Sequence, residues 1–275
     1  MRRILICFST LFSCCCYCLA NEPKFDWSTV LAIPPGSEQT GGNQILHFKS
    51  LNKPYWENEH GRFFVDRYLK EAKPLTSDAE VLKFGSDRVT LEGLFIELGV
   101  CTGKTINFIA ALNPHKKIHG FDSFEGLPED WVRADKVIPV GTFGFKNPTL
   151  LPPVLHNVEL HRGWFNDTLP TFTKDSDPNQ PIAFLHIDSD IYSSAATAFE
   201  IFGDRIQIGT ILVFDELYNY PGYENHEFKA FQEFLSKHNF IAHYLAYNIY
   251  HEQVAVQIES KGAANHTEST PGGLL

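Results

Sequence analysis

Short apolar runs alternate with amphipathic helical stretches along most of this chain, and this alternation limits the folds it can adopt more than any other feature. Strands are predicted at 94–98, 118–121, 158–160, 182–187 and 211–214, and helices at 104–112, 192–202 and 224–238. A helix between successive strands makes each connection a crossover, which leaves the strands parallel and covers both faces of the sheet. The sequence therefore predicts an α/β fold with a mostly parallel, Rossmann-like sheet.

The two ends of the predicted domain depart from this alternation. Residues 241–247 and 253–258 read as two strands with no helix between them, so they predict an antiparallel hairpin at one edge of the sheet. Between residues 55 and 84, apolar and aromatic positions recur at helical spacing until Pro74 interrupts them. We therefore expect a helical cap on the N-terminal side of the domain.

The first 20 residues have the layout of a secretory signal peptide. Two arginines precede an uncharged apolar run, which ends at Ala20 before polar residues. Because such a run can also stay uncleaved, we expect a protein of the secretory pathway or an exported one, with membrane anchoring through this segment as the alternative. Behind it we expect an N-terminal arm over 21–54, one domain over 55–260 and a flexible tail over 261–275.

Cysteine usage and charge limit how the domain is stabilised and what it binds. Five of the six cysteines lie in the first 20 residues, so cleavage would leave Cys101 alone and the domain dependent on its apolar core.

The formal net charge of −10 gives no electrostatic attraction to nucleic acid or to anionic membranes, and we expect neither as a partner apart from the membrane anchor. The sequence is also compatible with a homo-oligomer.

Glycines and acidic residues follow the first two predicted strands. In an open parallel sheet, ligands bind beyond the carboxyl ends of the strands. Glu97 lies near the end of the first strand, which is followed by a turn with Gly99 and Gly103. Asp122 follows the second strand, where it could accept the hydroxyl protons of a ribose. The glycine spacing differs from the G-x-G-x-x-G of dinucleotide sites, which favours an adenosine cofactor without pyrophosphate, S-adenosylmethionine.

Four carboxylates follow the next two strands. Asp188 and Asp190 come after the strand at 182–187, and Asp215 and Glu216 come after the strand at 211–214. Carboxylates at adjacent strand ends cannot all be ionised without a compensating cation, and oxygen ligands suit Mg²⁺ or a similar divalent ion. The alternative is that some of these side chains cap the helices that follow.

Five motifs in order give the chain a family resemblance. Their sequences are ELGVCTG, GFDSFEGLP, GWFNDTLP, HIDSDIYSS and FDELYNYPG, at 97–103, 120–128, 163–170, 186–194 and 214–222. Over 97–234 the chain resembles the macrocin O-methyltransferase family, sugar O-methyltransferases that depend on S-adenosylmethionine and a metal ion. The resemblance implies a seven-stranded methyltransferase sheet.

The resemblance also implies roles for individual residues. Glu97 and Gly99 would lie at the methionine end of the cofactor, with Asp122 at its ribose. Near the adenine it places Ser123, Gly163 and Trp164. The metal would be held by Asp188 or Asp190 with Asp215 and Glu216, Asp188 also bordering the cofactor, and it would hold two vicinal hydroxyls of a small-molecule acceptor. The family usually has Asp at the position of Glu216.

Two functional assignments stay open in the sequence. No catalytic base transfers by motif, so His226 and His156 are the candidates for it, and substrate contacts are expected from an insert at 129–155. Three tyrosines, Tyr218, Tyr220 and Tyr223, could line an acceptor site or simply pack a loop.

The sequence predicts a hydroxyl-directed methyltransferase, with two alternatives. Asp188 and Asp190 form a D-x-D pattern, which in a glycosyltransferase would coordinate the metal on a nucleotide-sugar diphosphate. That class does not require the turn after Glu97 together with Asp122. The second alternative is a non-catalytic protein that keeps the methyltransferase fold, although in that case loss of cofactor or metal residues would be expected.

Overall fold

The computed structural model describes residues 54–147 and 150–261. The predicted leader over 1–20, the arm up to residue 53 and the tail from residue 262 lie outside the described residues. Within the described part of the chain, no helix has the length and apolar character needed to cross a membrane.

Ten strands and six α-helices alternate along the described chain. The strands are β1 (Lys73–Leu75), β2 (Leu94–Leu98), β3 (Ile118–Asp122), β4 (Trp131–Val132), β5 (Val137–Ile138), β6 (Val158–Arg162), β7 (Ile182–Ile187), β8 (Ile211–Phe214), β9 (Phe240–Asn248) and β10 (Val254–Lys261). The helices are α1 (Glu59–Tyr68), α2 (Asp78–Ser86), α3 (Lys104–Leu112), α4 (Phe165–Asp175), α5 (Tyr192–Phe202) and α6 (Glu227–His238). Short 3₁₀ turns lie at Tyr55–Glu57, Gly203–Arg205 and Tyr223–Asn225.

Eight of these strands form one mostly parallel sheet, which confirms the predicted fold class. Their order is β1-β9-β10-β8-β7-β2-β3-β6, and only β10 runs antiparallel to its neighbours. The predicted count of seven strands was one short, and the hairpin of β9 and β10 is not the edge, because β1 pairs in parallel with β9 outside it. Pro74 in β1 carries no N–H to donate, and an edge strand tolerates that loss.

Alternate side chains of the central strands face two separate apolar layers. Phe95 and Phe184 stack with ring centroids 5.7 Å apart on the face covered by α2 and α3. Their neighbours Ile96 and Leu185 belong to the larger cluster under α4, α5 and α6. Both faces of the sheet are therefore buried, which explains why the strand sequences are apolar throughout.

The predicted helical cap is α1, which packs on the hairpin side of the sheet through Phe64. This fully buried ring lies 5.2 to 5.3 Å from the rings of Tyr218, Tyr223 and Phe228. Of the two interpretations that the sequence left open for the tyrosines, loop packing holds, because Tyr218, Tyr220 and Tyr223 are each at most 1% exposed.

A histidine pair packs at the other edge of the sheet. His119 of β3 and His161 of β6 have ring nitrogens 3.1 Å apart, and the ring of Phe121 stacks on His161. The nearby Glu159 pairs with Lys117. Burial and the neighbouring His161 lower the pKa of His119 to about 4, so both rings pack as neutral groups.

This pair should make stability depend on pH. The pKa of His119 is depressed from about 6.5, its unfolded value, to about 4 in the folded state, so its contribution is complete above pH 6.5 and is lost as pH falls toward 4. At about 1.4 kcal/mol per pKa unit, we expect the free energy of unfolding of the parent, relative to a His119→Leu variant, to fall by about 2 kcal/mol between pH 7.5 and pH 5. Urea unfolding at the two pH values measures this. A difference that is the same at both would contradict the assignment.

Candidate active site

A cavity of about 920 Å³ lies beyond the carboxyl ends of the parallel strands. This is the edge at which open α/β sheets bind ligands. Its lining contains most of the residues predicted to bind cofactor or metal: Gly99, Asp122, Ser123, Gly163, Trp164, Asp188, Asp190, Asp215 and Glu216. The single-chain fold therefore gathers residues that lie more than 100 positions apart in the sequence.

The turn after β2 lies against the turn after β7. Gly99 has a φ of +88°, and a Cβ atom built on it would lie 1.7 Å from the carbonyl oxygen of Asp188. Only glycine fits at this position, because both the backbone conformation and the contact exclude a side chain. Gly103, also left-handed at φ +82°, is the N-cap of α3 and donates its N–H to the carbonyl oxygen of Val100, but it is not part of the cavity lining.

Asp122 ties the turn after β2 to the end of β3. Its Oδ2 accepts the backbone N–H groups of Val100 and Cys101 at 2.8 and 2.7 Å, and its Oδ1 accepts that of Phe124 at 2.6 Å. Burial raises the pKa of this carboxyl, and the three N–H donors oppose the rise. The carboxylate is thus a fixed wall of the cavity, and Oδ1 keeps a lone pair for a ligand hydroxyl.

Glu97 lies beneath the cavity and is not part of its lining. It is fully buried, and its Oε1 lies 3.0 Å from Nδ1 of His186, which faces it across the β2–β7 pair. Burial raises the pKa of Glu97, and the hydrogen bond with His186 opposes the rise. Glu97 was predicted at the methionine end of a cofactor; in the structure it contacts His186, and one of its carboxylate oxygens lies within 4.8 Å of Asp188, which lines the cavity.

Three carboxylates meet at the ends of β7 and β8. Each of Asp188, Asp215 and Glu216 offers an oxygen within 4.8 Å of the others. Burial, followed by the charge of Asp215, raises the pKa of both Asp188 and Glu216 well above the usual range. Glu216 Oε2 is buried and has no hydrogen-bond partner among the described residues. Oxygen atoms in this state would be stabilised by a cation among them.

Asp190 lines the same cavity but does not join this group of three. It has a left-handed backbone with a φ of +63°, in the turn that follows β7. Burial raises its pKa to about 7, with a further rise from Asp215 and an opposing effect of Arg133. Of the four predicted metal ligands, the structure therefore brings three together.

Glu227, at the start of α6, was not predicted as a site residue. It supports the turn after β7, which carries Asp188 and Asp190. Its side chain is fully buried, and Oε1 accepts the backbone N–H and hydroxyl of Ser189 and the N–H of Asp190, at 3.0 to 3.2 Å. Burial raises its pKa to about 8. The sequence feature that could have pointed to Glu227 is an acidic residue between His226 and Phe228, on the apolar face of a predicted helix.

The hairpin of β9 and β10 contributes a second unpredicted group. Gln253 is 3% exposed, and its Nε2 lies 3.0 Å from Asp215 Oδ1 and 3.0 Å from Nδ1 of His251. Both Gln253 and His251 line the cavity. No motif marks this histidine, because it comes from the turn of a hairpin that the sequence predicts only as strands.

The insert between β3 and β6 forms one wall of the cavity, where substrate contacts were expected. Trp131, Arg133, Lys136 and Ile138 of its β4–β5 hairpin line the space. Arg133 pairs with both carboxylate oxygens of Glu252, at 2.9 and 3.4 Å, which joins the insert to the β9–β10 hairpin.

The two histidines considered as catalytic bases lie elsewhere. His226 is 7% exposed and its Nε2 lies 2.9 Å from the carbonyl oxygen of Val132, so it attaches the insert to α6. His156 is exposed in the loop before β6. Neither belongs to the lining of the cavity, whereas His251 does.

Comparisons with known proteins give one matching family model and several similar solved structures. A family model described as a methyltransferase domain matches residues 96–217. The crystal structure of CalS11, a calicheamicin methyltransferase, is similar with a TM-score of 0.51 and 22% identity over 66% of this chain and 78% of that chain. The O-methyltransferase NovP has a TM-score of 0.47 and 21% identity, over 66% and 79%. No curated protein sequence is significantly similar to the chain.

The chain thus has the predicted class I methyltransferase fold, and residues 96–217 match the model of a methyltransferase domain. The match spans β2 to the turn after β8, so it includes Asp122 and the three gathered carboxylates.

The close contact at Gly99 gives a stability prediction. Gly99→Ala should lower the free energy of unfolding by more than about 3 kcal/mol, because the methyl group meets the Asp188 carbonyl in addition to the cost of about 1–2 kcal/mol for a left-handed backbone. Gly209→Ala is the matched control, with a φ of +96° and nothing closer than 3.9 Å. Urea unfolding compares the two. Equal losses would show that the turns after β2 and β7 are not in this contact.

Proposed function

We propose that this protein is an S-adenosylmethionine-dependent O-methyltransferase that uses Mg²⁺ or a similar divalent cation and methylates a hydroxyl of a sugar or another small molecule. The observation that carries the proposal is the gathering of Asp188, Asp215 and Glu216 in the same cavity as the turn after β2. A methyl acceptor held by a cation at these carboxylates would lie beside the predicted cofactor turn.

The carboxylate group fits a hard divalent cation. All three donors are oxygen atoms, and Glu216 Oε2 is buried without a partner among the described residues. Aspartate and glutamate oxygens with space for water are the ligands that Mg²⁺ takes in proteins. When bound, such a cation lowers the pKa of a hydroxyl that it coordinates. Asp188, Asp215 and Glu216 would hold it.

The turn after β2 fits an adenosine cofactor without a pyrophosphate. Gly99 lets the turns after β2 and β7 approach each other, and Asp122 keeps the turn in place through Val100 and Cys101. Ser123 and Trp164 border the same space. S-Adenosylmethionine supplies the methyl group, and the residues of these turns would orient it toward the carboxylates.

The chain itself would contribute orientation and exclusion of water. Methyl transfer is an in-line displacement, whose rate depends on how well the sulfonium and the acceptor oxygen are aligned. Glu227 fixes the turn that carries Asp188, and Gln253 fixes Asp215. The insert, held by the Arg133–Glu252 pair, would cover the acceptor.

The acceptor is proposed to be a hydroxyl compound with a flat or ring-shaped body. Trp131 and Ile138 of the insert give the cavity an apolar wall, whereas Asp190 and Glu252 give it a polar one. Sugars and phenols both present an apolar face and several oxygen atoms, so they suit such a cavity.

Calorimetric titration with S-adenosylhomocysteine, with and without Mg²⁺, tests the proposal, and a uridine diphosphate sugar is the comparison ligand. We expect S-adenosylhomocysteine to bind and the nucleotide sugar not to bind. Asp122→Ala should weaken this binding at least tenfold, because it frees the turn and removes a ligand contact. Asp215→Asn should leave the affinity for S-adenosylhomocysteine within about twofold of the parent value. It should abolish turnover and any dependence of that affinity on Mg²⁺.

The exposed Asp175→Asn is the control for the charge change. Binding of the nucleotide sugar in place of S-adenosylhomocysteine would contradict the proposal and favour a metal-dependent glycosyltransferase. If Asp122→Ala and Asp215→Asn both bind S-adenosylhomocysteine and turn over as the parent does, the site is placed wrongly.

A further inference from the structure

The hairpin of β9 and β10 carries a chain of side-chain amides that ends at a histidine in the cavity. The backbone N–H of Tyr250 donates to Asn248 Oδ1 at 3.0 Å, so the remaining group of this amide, Nδ2, is the donor to Gln253 Oε1 at 2.8 Å. The amide nitrogen of Gln253 then faces Asp215 Oδ1 and His251 Nδ1, each at 3.0 Å.

Two independent contacts fix the orientation of the Gln253 amide. At one end Oε1 accepts from Asn248, and at the other Nε2 faces the carboxylate of Asp215. The reversed orientation would place two N–H₂ groups together and an amide oxygen against a carboxylate. Because Asn248 and Gln253 are 1% and 3% exposed, water cannot repair these mismatches, and each unpaired group would cost about 1–3 kcal/mol.

The backbone around His251 is also fixed. Its carbonyl oxygen accepts from Asn219 Nδ2 at 3.1 Å, and the neighbouring Glu252 carbonyl accepts the N–H of Leu217 at 3.0 Å. Glu252 is held in turn by Arg133 of the insert. The imidazole of His251 is thus placed at the junction of the hairpin, the insert and the carboxylate group.

An amide nitrogen can only donate, so Nδ1 of His251 must accept, and a neutral imidazole with an accepting Nδ1 carries its proton on Nε2. We propose that Gln253 holds His251 as the Nε2–H tautomer, so that the ring offers the acceptor molecule a hydrogen-bond donor. Among the described residues, none hydrogen-bonds to Nε2, and the ring lines the cavity.

This inference rests on the proposed function and narrows it. In this tautomer neither ring nitrogen can take up the proton of the hydroxyl that is methylated, because Nδ1 accepts from Gln253 and Nε2 already carries a proton. His251 is therefore a recognition residue for a further oxygen of the acceptor, and Gln253 is the positioning residue that sets its tautomer. The same Gln253 amide restrains Asp215, so the metal ligand and the recognition group share one support.

Long-range ¹H–¹⁵N correlation spectra of the histidine side chains test the tautomer directly. His251→Gln assigns the signals, because they disappear in that variant. In the parent at pH 8 we expect Nδ1 to show the shift of an unprotonated nitrogen and Nε2 that of a protonated one. In Gln253→Glu the new carboxylate accepts at Nδ1, so the pattern should invert.

The exposed Gln180→Glu is the matched control and should leave the His251 pattern unchanged. A protonated Nδ1 in the parent, or the same pattern in the parent and Gln253→Glu, would overturn the inference. If Gln253→Glu does not fold, Gln253→Leu takes its place, and there the population of Nε2–H should fall from essentially complete to that of the tautomer mixture of a free neutral histidine.

The proposed function is tested separately in the same samples. Adding Mn²⁺ should broaden the His251 signals, because Gln253 bridges this ring to Asp215. Unchanged signals would contradict a cation site at the carboxylates and leave the tautomer result standing.

Discussion

Parallel pairing of β2, β7 and β8 brings the acidic turns of the chain together, and the candidate site depends on this pairing. The register aligns Leu98 with Ile187 and Ile187 with Phe214, so the residues that follow each strand emerge side by side. Carboxylates placed so close repel one another, and burial strengthens the repulsion because it removes water. This repulsion destabilises the folded state at one edge of the sheet, where a cation and a ligand could offset it.

Hydrogen bonds from other elements keep these turns in place. Asp122 accepts hydrogen bonds from three backbone N–H groups around the turn after β2. Glu227 accepts hydrogen bonds from two N–H groups and a hydroxyl around the turn after β7. Gln253 donates to Asp215 from the hairpin. Each of these side chains joins elements that are distant in sequence, so the geometry of the cavity depends on the whole sheet. Carboxylates fixed in this way need little rearrangement when a ligand binds.

The sequence was sufficient to predict the fold class, the parallel strands and the positions of the acidic turns, because apolar periodicity and strand-end residues are local patterns. It was not sufficient for β1, whose three residues include Pro74 and whose pairing with β9 is set by tertiary contacts. Placing β1 outside the hairpin gives the eighth strand. The same limit applies to Glu227 and Gln253, since the pattern of a helix or strand does not show which residue faces a distant turn.

The histidines show most clearly that a local sequence pattern does not reveal which side chain faces a distant turn. His226 and His156 were the two candidates for the catalytic base, yet one bonds to the insert backbone and the other is exposed before β6. His251 comes near Asp215 only because β10 pairs with β8 in the sheet, which places Gln253 between the two side chains. Its neighbour Gln253 then determines which ring nitrogen carries the proton, a property that no sequence pattern encodes.

The most direct test of the account is anomalous diffraction from crystals of the protein grown with Mn²⁺ and S-adenosylhomocysteine. The account predicts one strong anomalous peak bonded to oxygen atoms of Asp188, Asp215 and Glu216, with the cofactor product in the same cavity beside Gly99 and Asp122. A peak elsewhere, such as at His119 and His161, with none at the carboxylates, would contradict the central claim that the acidic turns form a cation site next to a methyl-donor site.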